Sequence, residues 1–559
     1  MKARGEKQRR ARGLPDTEQQ GFGFEEPESV EAGGPGEKAE PRVEFEEGRR
    51  RIFVGEVLLE QYLESHGLKA VKVLGELMGE LDVSGFEAGY KPGGRPPIHP
   101  RILLSLIVYG MHLRQWSLRE LEQLAVRDVG AWFLCRGVQP DHSTLGKFIV
   151  KHEKLLSDEF FVSATRSLAS KLGLKPGEAA ADGTVIQAAA GLRSLAKKEV
   201  LEAEAQEARQ QAEAVARTEP PTRQQAALEK KAQVLEQAVE IATQRAEPRQ
   251  ARNQSAPQLS RHEPQAVNQP GKDGLYRLSY KPSLLVHESG LILAQALHPT
   301  SEVQVLESLL QQTLQVGVEL VSLALDAGYF QIQVLQWAVV NGLDVLCPPE
   351  RVKRNEAAVA VTNKGLFAKA AFHYEPEQDV YRCPAGHILR PGQWKVEADT
   401  QMRVRHYATP ACKSCPLRAQ CTSSASSPRK IGRHEGQELK EAMAEVFEQP
   451  AARRRYARRS HIVEPVFAEL KERQSLKRFR RRGSRGARLE LSLHCLAFNL
   501  KRVGRAVAVL AVLALLGLCP SATLLVLFLA ALLFFLALPP YASLRRGFAC
   551  HSPAPSPAP

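Results

Sequence analysis

At 559 residues the chain is long enough to bury two or three cores and still carry tails. Lysine and arginine number 76 against 62 acidic residues, a formal charge of +14 that favours a polyanionic partner. The opening MKARGEKQRRARGLPDTEQQ has charge without an apolar run, so it does not read as a signal peptide, and the nine cysteines are expected as reduced thiols in a cytoplasm.

The charge is patchy. Residues 1–13 are basic, 18–47 are acidic and rich in Gly and Pro, and 453–488 are densely basic. Local runs matter because counterion release depends on how many phosphates one face neutralises together. Residues 1–50 are expected to form a disordered tail. Residues 51–172 read as an N-terminal all-α domain with a DNA-binding role. The stretches RILLSLIVYGMHLRQ from Arg101 and SLRELEQLAVRDVGAWFL from Ser117 place apolar residues at helical spacing. Ser117 with Glu120 makes a capping box, and the turn at 139–144 opens a helix through Lys151. Short helices with tight turns suit a helix-turn-helix reader and suit any small bundle equally.

Residues 173–505 read as an α/β domain. Strands are expected at 178–188, 276–288 and 291–298, a helix at 302–316, a strand at 319–329 with Asp326 at its end, a helix at 330–341 and a strand at 343–349. The order β-β-β-α-β-α-β followed by a later helix is that of an RNase H-like domain. A doubly wound nucleotide-binding fold has similar alternation, but no glycine-rich phosphate loop follows any of these strands. The insert 194–246, rich in Ala, Glu, Gln and Lys with Pro220-Pro221 in its middle, reads as a helical hairpin of structural or oligomeric use.

Asp182, in Ala181-Asp-Gly-Thr184, is flanked by apolar residues, so its carboxylate would be buried unless a cation neutralises it. The plain alternative is a hairpin turn. Asp326, in Leu323-Ala-Leu-Asp-Ala-Gly-Tyr329, could instead cap the next helix. Two acids at the ends of neighbouring central strands converge on one point, a geometry for hard cations such as Mg²⁺ or Mn²⁺. Glu464 and Lys471 are seven residues apart and share a helical face, where the bland reading is an ordinary surface pair.

The strings PDHSTLGKF, ADGT, LALDAGY, the set Tyr456, Arg459, Glu464 and Lys471, and FRRRGSRGARLELSLHCLAFNLKR resemble the DDE-type transposases of bacterial insertion sequences, in order, over residues 55–505. The resemblance implies an RNase H-like catalytic domain in which Asp182, Asp326 and Glu464 hold divalent metal. It also implies that Tyr456, Arg459 and Lys471 support DNA contacts. Four residues separate Arg459 from Glu464 where the common signature has three, which on an unbroken helix turns Arg459 roughly 140° away. The implied chemistry is metal-dependent cleavage and strand transfer of double-stranded DNA, at element ends and target, by a homo-oligomer in the DNA complex. Rival readings are an RNase H-like nuclease that does not join strands, and an inactive DNA-binding or membrane-tethered relic. Arg480, Arg481 and Arg482, in the basic run beside the last helix, are expected on phosphates, carrying affinity rather than sequence choice.

Within 375–430, Cys383, Cys412, Cys415 and Cys421 suit structural Zn²⁺, with four reduced thiols as the alternative. The C-terminal tail, 506–559, begins with an uncharged apolar run to Leu538 that meets the length test for a membrane segment. An accidental extension is the other reading. The expected location is cytoplasmic and nucleoid-associated, with membrane attachment through 506–538 as the competitor.

Overall fold

The structure, a computed structural model, describes residues 43–216, 223–251, 255–271, 273–349, 365–397, 401–424 and 426–515. Most of the tail 1–50, the Pro220-Pro221 pair and the tail beyond 515 lie outside those residues. Among the described residues no helix is long and apolar enough to cross a membrane.

The N-terminal region is mostly helical, as its periodicity implies, but it is not all-α as expected: Phe53–Val54 and Val57–Leu58 pair as a short antiparallel hairpin ahead of the first helix. Its centre is α1 (Pro100–His112), in which every residue from Ile102 to Met111 is buried. A helix apolar on all sides must be surrounded, and shorter helices wrap it. Local chemistry fixes their starts. The Ser117–Glu120 capping box forms in both directions, at 3.3 and 2.8 Å, and Asp141 caps His142–Lys151 by accepting from Thr144 N at 2.6 Å. Each such cap is worth about 1 kcal/mol.

Chain order then gives β1 (Gly177–Gly183), the hairpin α2 (Lys198–Ala216) and α3 (Arg223–Ala251), β2 (Tyr276–His287), β3 (Ile292–His298), α4 (Leu306–Val316), β4 (Leu320–Ala324), α5 (Ile332–Val340) and β5 (Val345–Leu346). The sheet runs β3-β2-β1-β4-β5, with β2 antiparallel to β1 and β3, and β4 parallel to β1 and β5. This is the strand order that the β-β-β-α-β-α-β pattern anticipates. Several elements end earlier than expected. β1 stops at Gly183 because Thr184 N still bonds Pro282 O at 2.9 Å but Pro282 has no N–H to return, and 186–187 pair separately with β2. β4 stops at Ala324, so Asp326 lies just past the strand and caps a 3-10 turn. The fifth strand shrinks to two residues.

The hairpin has its own small core of alanines and leucines, among them Leu201, Ala208, Leu235 and Ala242. Residues 373–434 form a second, antiparallel sheet that the cysteine pattern gave no hint of: β6 (His373–Glu375), β7 (Val380–Arg382), β8 (Ile388–Val396), β9 (Arg403–Ala408) and β10 (Ile431–His434), paired in that order. The chain then returns to the first sheet through α6 (Pro450–Ala468) and α7 (Gly483–Leu515). β1 contributes Ala179, Ala180 and Ala181, all fully buried, and α6 packs across this strand. Side chains of that size let helix and strand approach closely. On α7, Asn499 holds Ile292 of β3 through both backbone groups, at 2.9 and 2.8 Å, and reaches Thr165 of the N-terminal region at 3.3 Å. One continuous core therefore joins the helical region to the sheet.

Candidate active site

Asp182 is the penultimate residue of β1, and Asp326 follows the neighbouring parallel β4. Strand pairing places Ala324 beside Ala180, so both acids emerge at the same end of the sheet. Asp182 Oδ1 accepts from Gly183 N at 2.8 Å. Asp326 Oδ1 accepts from Gly328 N at 2.9 Å, so the capping reading and the site reading of this residue hold together. A third carboxylate meets them that sequence reasoning did not single out. Glu302, just ahead of α4, offers an oxygen that lies with those of Asp182 and Asp326 within 4.8 Å of one another, and among the described residues this is the one group so placed.

Burial raises the pKa of both Asp182 and Glu302, and each is raised further by the charge of Asp326. Cations offset this. Arg459 Nη2 pairs with Asp182 Oδ2 at 2.8 Å, and Lys281 Nζ pairs with Glu302 at 2.7 Å. Two of the three acids are thus paired with a cation, and Asp326 is left without one among the described residues. Two fully buried hydroxyls border this pocket, Tyr329 Oη and Ser283 Oγ, which face each other at long range and make no well-formed hydrogen bond. The charges of Glu302, Asp182 and Asp326 all push the Tyr329 phenol pKa up, after burial, which places the hydroxyl against the carboxylates. The donor set is all oxygen, three carboxylates and two hydroxyls, and suits hard divalent cations such as Mg²⁺ or Mn²⁺.

The other expected residues divide. Lys471, in the π-helical turn that continues α6, donates to the Thr184 hydroxyl and to Val185 O at 3.4 Å, so it stands beside the acids. Arg459 reaches them from the opposite flank of the same helix. Tyr456 is half-buried, edge-on to Phe447 with centroids 5.3 Å apart. Glu464 lies on α6 between Arg459 and Lys471 but is exposed, outside the three-acid group, and without an ion pair among the described residues. Arg459, not Glu464, is therefore the residue of this helix that meets Asp182.

The basic run is largely neutralised from within. Arg455 pairs with Glu178 and Asp344, Arg458 with Glu178 and Glu288, and Arg485 with Glu153. Arg480 lies over the Trp116 ring at 4.0 Å and pairs with Glu120 at 3.1 Å. Burial lowers the Arg481 pKa, and its backbone N donates to buried Glu490, as does that of Arg480. Arg482 is exposed, with no acidic partner among the described residues.

Cys383, Cys412, Cys415 and Cys421 line one cavity at the end of the second sheet, together with His387. Burial raises the Cys421 thiol, and the other three cysteines raise it further, so all four face one another. No three of them close to the mutual 4.8 Å that the carboxylates reach.

Two protein families match the chain. Residues 59–151 match one described as "Transposase domain (DUF772)", and residues 382–504 match one described as "Transposase DDE domain". The second match contains Glu464 and the four cysteines, and Asp182, Glu302 and Asp326 fall between the two. No curated protein matches the chain.

Proposed function

Because the chain is a relative of the DDE transposases of bacterial insertion sequences, we propose that it cuts and rejoins double-stranded DNA in a metal-dependent reaction centred on Asp182 and Asp326. The observation that carries the reading is their meeting at one end of adjacent parallel strands, in a pocket whose donors are all oxygen. Magnesium or manganese held there would activate water or a 3′-hydroxyl and neutralise charge building on the phosphodiester.

The chain's own residues do the rest by placement. Asp182 sits on a central strand with alanines behind it, so its carboxylate is held rigidly. Asp326 is fixed by its bond to Gly328 N. Arg459 and Lys471 bring two positive charges to the rim on which a phosphate backbone would rest, and Lys471 is anchored through Thr184 and Val185. Glu464, exposed on α6 between them, completes the acidic set on the DNA-facing side in this reading. The N-terminal helices serve as a DNA-binding unit, and the enzyme acts as an oligomer on paired ends. The four cysteines hold structural Zn²⁺ that braces the second sheet.

The test is a cleavage and joining assay on DNA carrying the element's ends, beside a binding assay. Asp182→Asn and Asp326→Asn should lose Mg²⁺-dependent nicking while retaining binding. Full cleavage by either variant would overturn the assignment. Nicks without joined products would favour the nuclease reading.

A further inference from the structure

The carboxylate of Glu302 forms part of the pocket, yet no reading of the sequence or the family matches gives it a role. We infer that Glu302 is itself a ligand of the divalent cation, with Lys281 as the counter-ion that holds it in the cation's absence. This rests on the proposed metal-dependent reading and deepens it.

Position argues first. Glu302 stands where the chain leaves β3 to enter α4, on the opposite side of β1 from β4, and is buried with 7% of its surface exposed. A carboxylate at that burial needs a strong reason to be there, since desolvation disfavours its charged form. Lys281 supplies one partner, at 2.7 Å. The rest of its surroundings do not behave as those of a simple ion pair. One of its oxygens lies within 4.8 Å of a carboxylate oxygen of Asp182 and of Asp326, like charges that a structural pair would avoid.

Space argues second. A Cβ on Gly183 would stand 2.5 Å from one Glu302 oxygen, and a Cβ on Gly328 would stand 2.7 Å from the other. These are the glycines that directly follow Asp182 and closely follow Asp326. Both motifs therefore leave room for the same third carboxylate, and neither glycine has a positive φ to explain it otherwise.

The third observation is independent of charge. Tyr329 and Ser283 are 0% exposed, and beside this cluster their hydroxyls make no well-formed hydrogen bond, facing only each other at long range. A buried hydroxyl without a good partner is costly to keep. Cation-bound water, or the cation itself, would satisfy them.

The experiment measures Mn²⁺ binding to the full chain by calorimetry, in the absence of DNA, with metal-free melting as the control for folding. Glu302→Gln should weaken Mn²⁺ binding about 10-fold or more, and Lys281→Gln should strengthen it by removing a nearby positive charge. A merely structural pair would lower melting in both variants and leave Mn²⁺ affinity unchanged in both, which would overturn the inference. Asp182→Asn separates the two levels. If it loses Mn²⁺ binding while Glu302→Gln keeps it, the inference fails and the metal-dependent reading stands. If neither variant affects binding, both fail.

Discussion

The molecule carries two clusters that could take a metal, and they are built in opposite ways. The acidic one rests on β1, on the cap just past β4 and on the entry to α4, elements locked by a shared sheet and core. Its three carboxylates are already within 4.8 Å of one another. The cysteine one rests on turns: Cys383 in a loop closed by Gly386 N to Cys383 O at 2.8 Å, and the other three between β9 and β10. Its thiols face one cavity without closing to that distance. Elements anchored in the sheet bring three like charges together before any cation arrives, whereas short turns leave the thiols apart, where a bound metal would draw them together. On the proposed reading, the first arrangement would hold its repulsion for a catalytic cation, and the second would gain folding free energy from a structural one.

The largest effects should fall on the acidic cluster. Asp182→Asn and Asp326→Asn should lower Mg²⁺-dependent cleavage by on the order of 10³-fold, with melting unchanged or raised because like-charge repulsion is relieved. Glu464→Gln tests the member that the structure leaves in solvent. If Glu464 joins the site on DNA, cleavage falls comparably. Wild-type cleavage in this variant would leave the acids of the sheet to do the work.

The cysteine cluster should answer to chelation instead. Purified protein should carry about one Zn²⁺ per chain by elemental analysis. Exchange protection across β6 to β10 should be lost in a Cys412→Ser, Cys415→Ser variant, while protection in β1 and β4 persists. Protein free of zinc, with the second sheet fully protected, would sink the zinc reading and leave four reduced thiols.

Legibility follows the same division. The sheet's order was readable because each strand is a bounded apolar run, and Asp182 and Asp326 showed as charges where a buried strand should have none. Glu302 was not readable, since an acid at the start of an amphipathic helix is what any solvated helix offers. The second sheet was missed because its strands are short and polar, with exposed stretches such as 390–393. Seven-residue spacing put Lys471 on the face of Glu464, but a π-helical turn carries Lys471 to Thr184 while Glu464 stays in solvent. The pairing of Arg459 with Asp182 needed the register between α6 and β1, which no local pattern encodes. Most of the apolar run 506–538 lies beyond the described residues.

A smaller effect concerns the loop that joins the acidic site to α7. Glu490 is buried beneath the backbone N–H groups of Arg480 and Arg481, and burial pushes its pKa up to about 7 from 4.5. A folded pKa above the unfolded one means that the stability contributed by this group is full below about 4.5 and lost as pH rises through about 7. Wild type should therefore lose a few degrees of melting temperature across that window relative to Glu490→Gln, which keeps one acceptor oxygen and does not ionise. Parallel melting curves against pH for the two proteins would show that Glu490 titrates normally.

The smallest effect discriminates among three adjacent arginines. Sequence alone puts Arg480, Arg481 and Arg482 together on DNA. If each neutralised a phosphate, replacing all three by alanine would reduce the slope of log K against log salt by about 2.7, from about 0.9 per contact. The structure distributes them differently. The Arg480 guanidinium is held by Trp116 and Glu120, and Arg481 is half-buried with its backbone N bound to Glu490. Arg482 is exposed and unpaired by acids among the described residues. Arg482→Ala alone should therefore lower the slope by about 0.9 and leave melting unchanged. Arg480→Ala should do the reverse, because it removes a cation from an aromatic face and uncovers Trp116. An equal fall in slope for both variants would mean that Arg480 leaves Trp116 when DNA arrives, and that this loop is a DNA contact along its whole length.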